Sequence, residues 1–337
     1  MPLETIIAGA MVASLVLYAL LGGADYGGGV WDLFAFGRRA RTQRALIADA
    51  ISPVWEANHV WLILVIVVLF TAFPPAFAAI ATALHIPITL LLIGIVLRGT
   101  AFTFRNYDVQ RDDVQRRWSL VFSIASIITP ILLGTILGAI ASGTIRVENG
   151  AVTTGFFNSW LAPFPLAVGF FALALFAFLA AVYLTVEAEQ RELQSQGQKL
   201  SEDFRLRALL TGVAVGLLAL TVFILAGAGA PTVRAGISRT WWALGLHLFT
   251  AIFAVGAFVT LWIRRYKAAR ICAAAQVTLI LLGWAFAQYP HLVEPDITIS
   301  SAAAPTITLE LLLVGLAAGA LLLFPSYYYL IRVFKAE

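Results

Sequence analysis

The sequence predicts an all-α polytopic membrane protein with nine transmembrane helices, arranged as two four-helix bundles plus one peripheral helix. Three observations carry that prediction. Of 337 residues, 61% are hydrophobic and only 12% charged, whereas a soluble domain carries about 25% charge. The apolar residues form nine runs near the roughly 20-residue length that crosses a bilayer as a helix. Basic residues gather in alternate connections, as they do in chains that weave through a membrane.

The first span is expected near Thr5–Gly22. Met1-Pro-Leu-Glu4 lacks the basic flank and the small-residue cleavage site of a signal peptide, so this run reads as a retained span. The glycine run Gly22–Gly29 either ends that helix or lies inside a longer one reaching about Phe36. The second span is Ala45–Phe73, split from the third, Ala76–Arg98, by the Phe73-Pro-Pro75 turn. The others are Trp118–Gly143, Leu161–Val186, Leu206–Gly229, Trp241–Ile263, Ile271–Tyr289 and Thr308–Val333. Trp118, Trp160, Trp241, Trp242 and Trp262 stand at span ends, where indoles anchor at the interface.

Eighteen of the 22 Lys and Arg residues lie in alternate connections and at the C-terminus. The first connection holds Arg38, Arg39, Arg41 and Arg44, and the last group is Arg332 with Lys335. The intervening loops hold only Arg146, Arg234 and Arg239. The positive-inside rule then places the N-terminus outside and the C-terminus in the cytoplasm. The chain reads as one integral membrane domain over 1–337. An internal repeat relates 1–143 to 161–289, with the ninth helix, 308–333, added. Gly134/Gly138, Gly212/Gly216 and Gly315/Gly319 are small-xxx-small spacings that let helices approach closely. Glu187–Arg205 reads as a solvated connector with at most a short helix, and Pro290–Pro305 as a polar cap.

One stretch breaks the apolar pattern: Ser52-Pro-Val-Trp-Glu-Ala-Asn-His-Val-Trp-Leu-Ile63. Ionisable groups survive inside lipid only when paired or lining a wet path, so they mark function. Asp49 and Glu56 are seven residues apart and Glu56 and His59 three, which aligns them on one helix face. Pro53 frees a backbone carbonyl beside that stripe. Glu56 lies twelve residues beyond Arg44, or about 18 Å at 1.5 Å per residue, well inside the hydrocarbon. Asp25 follows as a second carboxylate within reach. Asp25, Glu56, His59 and Asp49 are the candidate proton stations. Trp55, Asn58, Trp61 and Arg98 are expected to pack and hold the motif, with Arg98 as an interfacial anchor at the end of the third span.

The four histidines (His59, His85, His247, His291) and the single Cys272 form no metal-ligand spacing, and no nucleotide-binding loop is present. No metal site, no haem ligation by this chain and no nucleic-acid partner are expected. A midplane carboxylate in a nine-span protein with a repeat would also suit a proton-coupled secondary transporter.

Gly22–Gly29 with its basic turn, the Ser52–Ile63 motif, Phe-Pro-Pro-Ala-Phe77 and Leu-Arg-Gly-Thr-Ala-Phe-Thr-Phe-Arg105 together resemble subunit II of cytochrome bd-type quinol oxidases. The resemblance is best over Gly22–Arg105. It implies a heterodimeric respiratory complex in the bacterial cytoplasmic (inner) membrane that oxidises quinol and reduces dioxygen to water. It also implies that haems b and d, and the quinol-oxidising loop, belong to subunit I. Asp25 and Glu56 match the acids proposed to carry protons from the cytoplasm. Many members have Asp where Glu56 stands. Some members hold a structural quinone or a small accessory subunit.

Overall fold

The structure is a computed structural model that describes residues 2–52, 55–107, 112–194 and 200–335. Twelve helices account for nearly all of it. They are α1 (Leu3–Leu33), α2 (Ala40–Ile51), α3 (Trp55–Ala72), α4 (Pro74–Ala83), α5 (His85–Tyr107) and α6 (Asp112–Ala141), then α7 (Pro163–Gln194), α8 (Leu200–Gly229), α9 (Pro231–Arg239), α10 (Trp241–Trp262), α11 (Tyr266–Gln288) and α12 (Thr306–Lys335). Among the described residues nine of these are long and apolar enough to cross a membrane; α2, α4 and α9 are not. Two small antiparallel pairs supplement them: β1 (Val147–Glu148) with β2 (Ala151–Val152), and β3 (His291–Val293) with β4 (Ile297–Thr298).

Helix α1 is the hub, packing against α3, α6, α7 and α11. It runs straight through the glycine cluster, following the longer of the two expected courses. Glycine costs about 1 kcal/mol in a helix interior, and here close packing offsets that cost. A Cβ on Gly27 would sit 2.0 Å from the Phe176 carbonyl oxygen of α7, and one on Gly29 would sit 2.1 Å from Ser126 Oγ of α6. Trp31 Nε1 donates to the Ala177 carbonyl at 2.8 Å, fastening the same α1–α7 seam.

The C-terminal carbonyls of α1 meet three guanidinium hydrogen bonds: Arg44 to Asp32 and Ala35, and Arg207 to Phe34. Cations complement the negative end of the helix dipole there. Further pairs join Arg39 to Asp203, Arg191 to Asp49, and Arg264 to Glu202. These contacts gather the arginine-rich connections at one end of the molecule. The β-hairpins lie at the other.

Three expectations change. The second span is described as α2 and α3; Pro53 and its predicted kink lie outside the described residues. The third span begins at His85, because Pro74–Ala83 forms its own short helix and turns at the fully buried Leu84. Most of the supposed solvated connector is helical: α7 continues to Gln194, and Glu192 accepts from the Ser201 N–H at 2.7 Å at the start of α8.

Candidate functional site

Helix α5 runs on to Tyr107, so Arg98 lies nine residues, about two and a half turns, inside its C-terminal end. Arg98 is 1% exposed and is the largest fully buried side chain described. The expectation of an interfacial anchor is therefore corrected. Arg98 Nη2 meets Asp25 Oδ1 at 2.7 Å and the Asp25 carbonyl at 3.2 Å. Its Nε donates to Ser126 Oγ at 3.1 Å. Its guanidinium carbon lies 4.7 Å from the Tyr26 ring centre and 5.0 Å from that of Phe122. A buried charge demands such a counter-charge and such a full set of contacts. Gly29 makes the cluster feasible: any side chain there would push α6, and Ser126 with it, out of reach.

Asp25 Oδ1 is committed to Arg98, and Oδ2 has no hydrogen-bond partner among the described residues. Asp25 also lines a cavity of about 120 Å³ shared with Asn58, Tyr183, Glu187, Arg270 and Tyr327. Leu21, Ala24, Ile51, Ala180 and Leu184 make most of its wall apolar, and these few polar groups are the ones that could hold a water there. Glu187 and Arg270 stand toward the arginine-rich end.

The motif residues of α3 separate. Asn58 is 2% exposed; it donates to the Leu21 carbonyl at 3.4 Å and accepts from Tyr327 Oη at 3.1 Å. Trp61 packs on Phe324 and Tyr327 of α12, and Trp55 on Phe102 of α5. His59 sits between Tyr18 and Tyr26, ring centres 6.1 and 6.2 Å away, with Nδ1 buried and unpartnered. Tyr18 Oη donates to Tyr26 Oη at 3.3 Å.

Glu56 does not join this cluster. It is exposed and heads a stripe with Val60, Ile63, Val67 and Phe70, all 40–60% exposed. That i, i+4, i+7, i+11, i+14 pattern is one outward face of α3. Asp49 is on α2 and pairs with Arg191 of α7. The expected Asp49–Glu56–His59 stripe is therefore not formed.

Sequence reasoning missed a second buried acid, Asp32, at 1% exposure. Arg105 Nη1 meets its Oδ1 at 2.9 Å and Ser123 Oγ donates to Oδ2 at 3.5 Å. A signal was present: Asp25 and Asp32 are seven residues apart, as are Arg98 and Arg105. His85 and His247 bond the carbonyls of Thr82 and Ile237 and share no neighbour with His59. Among the described residues no group of three His, Cys, Asp or Glu is placed to hold a metal ion.

A nine-span helical bundle built around a buried acid–guanidinium pair defines an integral membrane protein with a polar interior. The model of the family described as cytochrome bd terminal oxidase subunit II matches residues 3–334, and the chain belongs to that family. It is 22% identical over 327 residues to the Bacillus subtilis (strain 168) protein named "Putative cytochrome bd menaquinol oxidase subunit II", covering 95% of this chain and 92% of that one. It is 27% identical over 216 residues to the cytochrome bd-I ubiquinol oxidase subunit 2 of Escherichia coli (strain K12), covering 63% of this chain and 53% of that one. A chain of the bd oxidase structure from Geobacillus thermodenitrificans superposes with a TM-score of 0.82 at 22% identity, covering 99% of both chains. The chain is thus a subunit of a haem-associated oxidoreductase complex, with a subunit I partner implied.

Proposed function

We propose that this chain is the subunit of a bd-type quinol oxidase that carries no haem of its own. It braces a subunit I bearing haems b and d, and it takes protons from the cytoplasm for dioxygen reduction. The arginine-rich end faces the cytoplasm of a bacterial cell in this reading, with the N-terminus outside and the C-terminus inside. The observation that carries the proposal is the buried Asp25–Arg98 pair, with Asp25 Oδ2 left without a partner among the described residues, beside a cavity that Asn58, Glu187 and Arg270 also line. A carboxylate with one oxygen held and one unpartnered can bind and release a proton without leaving its place.

Glu56 supplies the onward step. A carboxylate at the head of an exposed apolar stripe is costly against lipid, so this face of α3 is the surface that subunit I covers. Glu56 then stands at the subunit boundary, and Asp25 and His59 stand behind it. Asp49 serves at the arginine-rich end, next to Arg191. Lipid covers the remaining apolar faces, quinol is the substrate of the complex, and a structural quinone and a small accessory subunit are further components such a complex can hold. The two sets α1, α3, α5, α6 and α7, α8, α10, α11 are the halves of a parallel repeat, with α12 added.

The test uses the purified complex. Its visible spectrum should lose the haem-rich partner when this chain is absent. Asp25→Asn and Glu56→Gln should each slow turnover and proton uptake while the haem spectrum stays unchanged. Unaltered proton uptake in both assembled variants would refute the role. Solute transport by this chain alone in liposomes would instead establish a carrier.

A further inference from the structure

Two polar triads repeat along the same three helices. The first is Asp25 (α1), Arg98 (α5) and Ser126 (α6); the second is Asp32, Arg105 and Ser123. Seven residues separate the acids and seven separate the arginines, so the rungs lie about 10 Å apart at 1.5 Å per residue. Both are buried: the acids are 3% and 1% exposed at the side chain, and the arginines 1% and 12%. Phe122 lies between the guanidinium groups, 5.0 Å from that of Arg98 and 5.8 Å from that of Arg105. In each rung one carboxylate oxygen holds the arginine. Among the described residues, the other has no partner in the first rung and a 3.5 Å serine contact in the second.

We propose that Asp32 is a further proton station, between the arginine-rich face and Asp25; this rests on the proton-uptake reading of Asp25. The second rung is the one nearer the surface, and Arg105 is its partly exposed member. Stacking on Phe122 keeps each guanidinium in place while its acid is neutral. Ser123 and Ser126 stand three residues apart on α6: Ser123 Oγ donates to Asp32, and Ser126 Oγ accepts from Arg98 and donates to the Phe122 carbonyl. The step moves a proton alone. The proton on Asp32 passes to the Asp25 carboxylate, Asp32 returns to its ion pair with Arg105, and no electron moves. Besides Arg105 and Ser123, the groups facing Asp32 are Arg44, on its backbone carbonyl, and Arg207, over the adjacent Trp31 ring.

The experiment compares complexes carrying Asp32→Asn, Asp32→Glu, Ser123→Ala, Asp25→Asn and Glu187→Gln. The readouts are haem spectrum, quinol KM, kcat, and proton uptake followed by a pH dye during the oxygen reaction. Asp32→Asn should slow proton uptake and kcat about tenfold or more, the scale of losing a positioned proton carrier. KM and the haem spectrum should be unchanged, and Asp32→Glu should restore most of the rate. If Asp32→Asn does not assemble, Ser123→Ala decides: slowed uptake supports the station and wild-type uptake overturns it. A normal Asp32→Asn beside a slow Asp25→Asn overturns this inference and leaves the Asp25 role standing. A slow Glu187→Gln beside a normal Asp32→Asn also overturns it, because the cavity then feeds Asp25. A normal Asp25→Asn removes the underlying reading itself.

Discussion

Arg98→Leu puts the central ion pair to its hardest test. The substitution leaves the Asp25 carboxylate 3% exposed with no counter-charge. It also removes the guanidinium's hydrogen bonds to Ser126 and to the Asp25 carbonyl. Breaking one side of a buried pair costs about 3–5 kcal/mol. At about 1.4 kcal/mol per tenfold, that lowers the folding equilibrium by roughly two to nearly four orders of magnitude. Removing both charges avoids the unpaired state, so Arg98→Leu/Asp25→Leu should recover much of the loss. The assay is unfolding of the purified complex in a mixed-micelle denaturant titration, read by tryptophan fluorescence, for wild type, both single variants and the double variant. A double-mutant cycle gives the coupling directly. Single-variant losses that simply add, with coupling below about 0.5 kcal/mol, would refute the pairing argument.

Other predictions follow from the same geometry. Gly27→Val places a Cβ 2.0 Å from a carbonyl oxygen of α7, so α1 and α7 must part by over 1 Å and detergent-resistant complex should be largely lost; normal yield would count against the seam. Asn58→Leu strands the Tyr327 hydroxyl and should cost about 1–3 kcal/mol, read as loosened hydrogen exchange in α12. At the opposite end Asp296 is held below the usual carboxylate range, by the Arg146 hydrogen bond first, then the Val147 N–H and the charge of Arg146, against burial. A depressed carboxylate stabilises fully above its unfolded value, about pH 4, and the benefit is lost as pH falls from there through the folded value. Asp296→Asn should abolish that acid-side loss of protection in the 144–154 loop, a small change for so exposed a pair, measured by hydrogen exchange corrected for intrinsic rates. An equal loss in both forms would refute the assignment.

The number of membrane spans, the placement of most of them, and the family were legible in the sequence. Hydropathy is a property of each segment, and lipid forces every apolar run of sufficient length into a self-satisfied helix. The interfacial indoles at the ends of α10 were legible for the same reason: Trp241 and Trp262 are 92% and 71% exposed. Partner choice was not legible. Arg98 looked like an end-of-span anchor until α5 ran on to Tyr107. Glu56 looked like a neighbour of Asp25 until α3 turned it outward. Asp32 drew no notice until Arg105 was found against it. Each ion pair of the ladder joins residues 73 positions apart, and only the close approach that the α1 glycines permit brings them together. The sequence by itself determined that charges would be buried in this membrane protein; the packing of α1 against α6 and α7, and of α5 against α6, decided which acid meets which arginine, because that depends on helix rotation and spacing that no single segment encodes.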